Sequence, residues 1–197
     1  MAVYPALLFS KKVIPMTRSF PMQSSLKCSH SLTQPIGGGG PVAEPVETTA
    51  GIRPVHGKWE LLSRENLTDY LRAIGYDSCA ICCINCMVAN QISRFEYIVG
   101  VNQLVVVQID DTGSPLPDIP TKTYDIPGSS PYPMFASSRS VETHMSTEGD
   151  CFIQELRDVS ADKVIARLTS RVLADGNLHV QMCSGATVAT EVYRRIG

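Results

Sequence analysis

From Arg94 onward the apolar residues of this chain recur at a period of two, in short runs rich in β-branched and aromatic side chains. That period puts alternate side chains on opposite faces of a strand, which confines this part of the chain to half-buried β-structure. The runs cover 95–99, 104–109, 141–146, 151–156, 164–172, 178–182 and 187–193. Between them stand Asp111-Thr112-Gly113, Glu148-Gly149-Asp150 and Ala174-Asp175-Gly176-Asn177, where glycine supplies the positive φ that tight turns demand. Many short strands joined by tight turns predict an all-β antiparallel sandwich or barrel. One stretch resists: six prolines fall between positions 115 and 133. Proline cannot donate to a central ladder, so a strand at 121–126 is expected to be short or to border a gap.

Upstream the period changes. Order is expected to begin near Val55, and Trp59, Leu61 and Leu62 open a short strand. Asn66 then stands where an N-cap is wanted, with Asp69 three residues on, and Leu67, Tyr70, Leu71 and Ile74 follow at i, i+3, i+4 and i+7 before Gly75. This is the pattern of a capped amphipathic helix with a glycine stop. Asp77 or Ser78 caps a second helix reaching about Ala89, and the two make a short helical hairpin. The second helix carries Cys79, Cys82, Cys83 and Cys86, again the spacing of one helical face. Paired Cys-x-x-Cys steps mark many structural zinc sites, but there the pairs sit on separate turns. On a single stripe a free cysteine behaves as a small hydrophobe. The expectation is therefore a packing face shared with Met87, with metal or redox chemistry as the alternative.

Residues 1–52 combine Ser, Pro and a Gly37-Gly38-Gly39-Gly40 tract without any apolar period. Such a composition cannot repay the entropy of ordering, so 1–52 reads as a disordered tail and 53–197 as one domain. The first 43 residues hold Lys11, Lys12, Arg18 and Lys27 and no acid, which also suits an organelle transit peptide, although Pro5, Pro15 and Pro21 break a presequence helix. The remaining residues carry 13 basic against 19 acidic groups. That sign argues against nucleic acid, whose binding needs clustered Lys and Arg. Nothing approaches the roughly 20 apolar residues of a spanning helix. Seven cysteines, four of them crowded together, fit a reducing compartment better than a disulfide framework. The expected location is the cytoplasm, with a mitochondrion or other organelle as the alternative.

Catalysis finds no support in the residues. The four histidines, His30, His56, His144 and His179, accompany no nucleophile motif, and the glycine tract lacks the Lys and Ser or Thr of a phosphate loop. The expectation is a protein that is not an enzyme and needs neither cofactor nor metal.

Gly57-Lys58-Trp59-Glu60-Leu61, followed by Asn66, Asp69, Tyr70, Leu71, Ile74 and Gly75, resembles the N-terminal signature of the intracellular lipid-binding proteins, the calycin-type family of fatty-acid-binding and cellular retinoid-binding proteins. Arg171 through Leu178 and Thr190-Glu191-Val192-Tyr193 follow that family's closing strands without a gap. The resemblance spans about 55–197 and is weak through the proline-rich middle. It implies a ten-stranded antiparallel up-and-down β-barrel (β-clam) with Trp59 anchoring its base and a helix-turn-helix lid over its mouth. It also implies a monomeric carrier that reversibly binds a long-chain fatty acid or similar hydrophobic ligand, with transient membrane contact through the lid. A ligand-free interaction module on the same fold is the further alternative.

In the family the ligand carboxylate meets an Arg before the last hairpin and an Arg-x-Tyr in the final strand. Arg171 and Tyr193 match the first Arg and the Tyr, and Glu191 stands where the second Arg belongs. By alternation Arg167 shares a face with Arg171, which places both inward. The expected ligand-binding set is Arg171, Tyr193, Glu191 and Arg167, with Arg171 paired to Glu191, since a buried charge without a partner is costly.

Overall fold

The strands that begin at Arg94 belong, together with the strand that opens at Gly57, to a single sheet. The computed structural model describes residues 50–89, 93–117, 119–132, 134 and 139–197. Residues 1–49, with most of the expected tail or transit peptide, lie outside the described residues. The described elements begin with a 3-10 turn, Ala50–Val55, then β1 (Gly57–Glu65), α1 (Leu67–Ala73), α2 (Ser78–Ala89), β2 (Arg94–Gly100) and β3 (Gln103–Gln108). There follow β4 (Lys122–Asp125), β5 (Gly128–Tyr132), β6 (Val141–Glu148), β7 (Cys151–Asp158), β8 (Lys163–Val172), β9 (Leu178–Ser184) and β10 (Thr187–Arg195). Among the described residues, ten antiparallel strands lie in the order β4-β3-β2-β1-β10-β9-β8-β7-β6-β5, a nearly closed barrel with two helices set on it. The proline-rich segment yields the two end strands, of four and five residues, where a missing N–H spoils no ladder on both sides.

One face of each strand fills the interior. Phe95 and Tyr97 of β2, Leu104 and Val106 of β3, Leu168 of β8, Leu178, Val180 and Met182 of β9 and Ala189 of β10 are all buried. Trp59 is shut off from solvent at the base, and its Nε1 donates to the Val55 carbonyl at 2.8 Å. Arg195 lies over the Trp59 ring at 4.4 Å and donates to the carbonyls of Pro54 and His56, so the last strand and the 3-10 turn lock together. Ile52 is fully buried with Val55. Ile52, one residue before the expected boundary at 53, thus belongs to the core.

Two local expectations change. Asn66 is not a side-chain cap: it sits in the left-handed region at φ 56°, and its Nδ2 donates to the Val188 carbonyl at 2.7 Å. It ties the start of α1 to β10 instead, while Asp77 does cap α2 through the Ala80 N–H at 2.8 Å. The cysteine stripe is the second correction. Cys79, Cys82, Cys83 and Cys86 are exposed, and α2 turns Ala80, Ile81 and Ile84 into the core. Both stripes have helical spacing, and the branched aliphatic residues bury more apolar area than thiols, so they win the inner face. The Met87 side chain lies outside the described residues.

Candidate functional site

A buried charged cluster lies where β1 and β10 pair beneath α1; elsewhere the interior holds Ser170 and a hydrogen bond from Gln154 Nε2 of β7 to Thr143 Oγ1 of β6 at 3.0 Å. Glu191 and Tyr193, both 1% exposed, face inward from β10. Tyr193 Oη donates to Glu191 Oε2 at 2.6 Å, and the Phe95 ring meets the Tyr193 ring edge-on at 5.0 Å. The partner of Glu191 is Arg64 of β1, whose Nε donates to Oε1 at 2.5 Å. A charge-assisted bond of this length compensates a carboxylate that water cannot reach.

Arg64 reaches that position through a β-bulge. In the β1–β10 pairing Leu61 faces Tyr193 and Ser63 faces Val192, so Leu62 is the extra residue, 51% exposed. Strict alternation from Trp59 would bring Ser63 opposite Glu191. The bulge moves the count by one and brings Arg64 there. Arg64 is thus a site residue that sequence reasoning missed, and the Leu61-Leu62 doublet, two successive apolar residues in an alternating strand, was its only trace. On the other side of the same strand Glu60 accepts from Arg94 at 2.7 Å and Arg194 at 2.6 Å. Those two guanidinium hydrogen bonds, Arg194 first, hold its carboxyl below the usual carboxylate range.

Arg171 and Arg167 are not in the interior. Arg171 is exposed and pairs across the ladder with His179, whereas Ser170 is buried opposite Val180. The β8–β9 turn decides this. The Leu173 carbonyl accepts from the Gly176 N–H at 2.9 Å, and the Leu173 N–H donates to the Asn177 carbonyl at 3.0 Å, with Gly176 at φ 80°. That turn sets Val172 opposite Leu178. Leu178 faces the core, so Val172, Ser170 and Leu168 do too, and the odd-numbered residues face out. Arg171 lines an outer depression of about 350 Å³ whose wall includes Thr169, His179 and Thr190. Arg167 bonds Glu148 at 2.5 Å and Glu155 at 3.2 Å on the outer surface. The expected Arg171–Glu191 pair is therefore replaced by Arg64–Glu191.

Among the described residues, five further tyrosines belong to the core or pack against it. Tyr70 of α1 and Tyr97 of β2 are buried, and both phenols are pushed up, first by burial; Glu191 adds its negative charge to each. Tyr132 is raised by burial and shares a hydrogen bond with Tyr76, which links the α1–α2 connection to β5. Tyr124 is pushed up to about 12 by burial. All of these remain neutral hydrogen-bond donors near neutral pH. Among the described residues no group of three or more His, Cys, Asp or Glu side chains converges where a metal ion would sit. Nor is any described helix long and apolar enough to cross a membrane.

No protein-family model matches the sequence, and no curated protein matches it. Solved structures do. The chain is similar to a REP1-NXSQ fatty acid transporter at 20% identity and a TM-score of 0.54, over 73% of this chain and 96% of that one. It is similar to apo lipid binding protein 8 of Caenorhabditis elegans at 16% identity and a TM-score of 0.56, over 74% and 97% of the two chains. A Schistosoma mansoni fatty acid binding protein in complex with arachidonic acid superposes with a TM-score of 0.56 at 13% identity, over 75% and 99%. This chain thus shares the β-barrel fold of these fatty-acid- and lipid-binding proteins.

Proposed function

We propose that this protein is a carrier that takes up one long-chain hydrophobic ligand inside the barrel, reversibly and without covalent change. Apolar burial contributes most of the affinity, at roughly 0.8 kcal/mol per methylene removed from water. The polar end meets the cluster of Arg64, Glu191 and Tyr193. The observation that carries this reading is the buried Arg64–Glu191–Tyr193 constellation itself. A barrel that needed only a stable core would gain by replacing a buried ion pair with hydrocarbon, whereas a few convergent polar groups in an apolar enclosure are what a ligand site requires. The likeness to lipid carriers supports the same reading.

Native mass spectrometry of the purified protein, together with displacement of a bound fluorescent lipid, tests it. Copurified lipid and saturable one-to-one displacement are expected. Arg64→Met should change the affinity, and Arg171→Ala, on the outer face, should leave it within twofold. Absence of both bound lipid and displacement would leave the barrel as an interaction module.

A further inference from the structure

Among the described residues, four buried side-chain nitrogen or oxygen atoms have no hydrogen-bond partner: Tyr70 Oη, Gln108 Nε2, His144 Nε2 and His179 Nε2. His144, His179 and Gln108 belong to half-buried residues. Tyr70 alone of the four is shut off from solvent, at 1% exposure. Buried hydroxyls are almost always bonded, because an unpaired one forfeits its water without replacement. An orphan hydroxyl inside an apolar enclosure therefore asks what it bonds when the protein is at work.

Its surroundings narrow the answer. Tyr70 lies on the buried face of α1 with Leu67 and Leu71, and that helix packs on β9 and β10. Glu191, Tyr76 and Cys183 are its electrostatic neighbours. Of the other polar groups there, Arg64 gives Nε–H to Glu191, and Tyr193 gives its hydroxyl proton to the same carboxylate. Tyr70 Oη is the hydroxyl of this neighbourhood that has no partner. A ligand carboxylate accepting from it would bring a second acid beside the Arg64–Glu191 pair, in a low-dielectric interior where one guanidinium already serves one carboxylate, and the two acids repel. An uncharged oxygen takes the same hydrogen bond without that penalty.

We infer that Tyr70 is the donor by which the lid helix holds the bound ligand, and that the ligand's polar end is an uncharged oxygen acceptor: an ester, amide, ketone, aldehyde or alcohol on a long chain. This rests on the carrier reading above and names the ligand class for that site. It also gives the lid a stake in occupancy. Because Tyr70 rides on α1, a filled site fastens the helix to the ligand, and exit requires that bond to break.

The test uses the full chain and a matched series of oleic acid, methyl oleate, oleamide and oleyl alcohol, each displacing Nile red. In the wild type the three neutral members should bind at least as tightly as the acid. Tyr70→Phe should weaken the neutral members about tenfold, the effect of one buried hydrogen bond, while oleic acid and Nile red stay within twofold. Dissociation of oleamide should quicken by a similar factor. Glu191→Gln, tested separately, should strengthen oleic acid about tenfold and leave oleamide nearly unchanged. A uniform loss across the series in Tyr70→Phe means a structural role and overturns the assignment, as does no loss at all. Tenfold tighter binding of oleic acid by the wild type overturns the ligand class. If no member binds and Nile red is not taken up, the carrier reading itself has failed.

Discussion

Removing the guanidinium of Arg64 isolates a carboxylate that is 1% exposed and still bonded to Tyr193. Stranding one member of a buried ion pair costs about 3–5 kcal/mol, and the 15% exposure of the Arg64 side chain puts this case near 3. The opposite change, Glu191→Gln, is milder at about 1–2 kcal/mol, because the amide oxygen still accepts from Tyr193 and the long Arg64 side chain can turn toward solvent. In the double variant Arg64→Met/Glu191→Gln no charge remains to be compensated, and the loss should be about 1 kcal/mol. The cycle then yields a coupling of about 3–4 kcal/mol, at the top of the range for residues in contact. For a domain of this size Arg64→Met alone should lower Tm by about 10 °C. Urea unfolding followed through Trp59, the single tryptophan of the chain, gives all four free energies on one signal. Additivity within about 0.5 kcal/mol would refute the pair and, with it, the bulge that brings Arg64 to Glu191.

Two further outcomes follow from the fold. The carboxyl of Glu60 is held down by Arg194 and Arg94, and that of Asp158 by Ser160, the Ala161 N–H and Arg139. A carboxyl depressed in the folded state contributes stability above its unfolded pKa and loses it as pH falls. Melting temperature should therefore drop below about pH 4.5, and Glu60→Gln/Asp158→Asn should flatten that limb while lowering stability at pH 7. A chain starting at Arg53 should be less stable than one starting at Ala50 by about 1.5–3 kcal/mol, the contribution of a fully buried isoleucine; equal melting temperatures would show that Ile52 does not pack in solution.

The strands were legible because their signal is repeated. Each run after Arg94 alternates for several residues, and an error of one or two residues at an end leaves the strand in place. The site was less legible because it depends on parity, which one residue overturns. Tyr193 and Glu191 point inward as expected, since the stretch from the β9–β10 turn onward pairs without a shift. Arg171 fell on the wrong face because the width of the turn at 173–177 sets the β8 register, and turn residues announce that a turn exists more clearly than how many residues it consumes. Arg64 was hidden by the same arithmetic at Leu62. The cysteines misled for another reason: two stripes of equal period lay on one short helix, and periodicity alone does not say which goes inside. Tyr70 was read as a core residue of α1, which it is, but sequence carries no sign that its hydroxyl lacks a partner.

Side-chain direction in a strand is a matter of counting, and β1 counts one residue more than β10 requires. The surplus is carried outside, at Leu62, between a base fastened by Trp59 and a mouth that holds Arg64. The strand therefore contains slack. Losing Leu62 would leave Leu61 opposite Tyr193 and Arg64 opposite Glu191, because both facings are set from their own ends and the bulge only absorbs the difference. Length variation at that surface position would pass unnoticed inside the barrel, whereas the insertion of a second residue, beyond what one bulge absorbs, would turn the guanidinium outward and leave an acid alone in the dark.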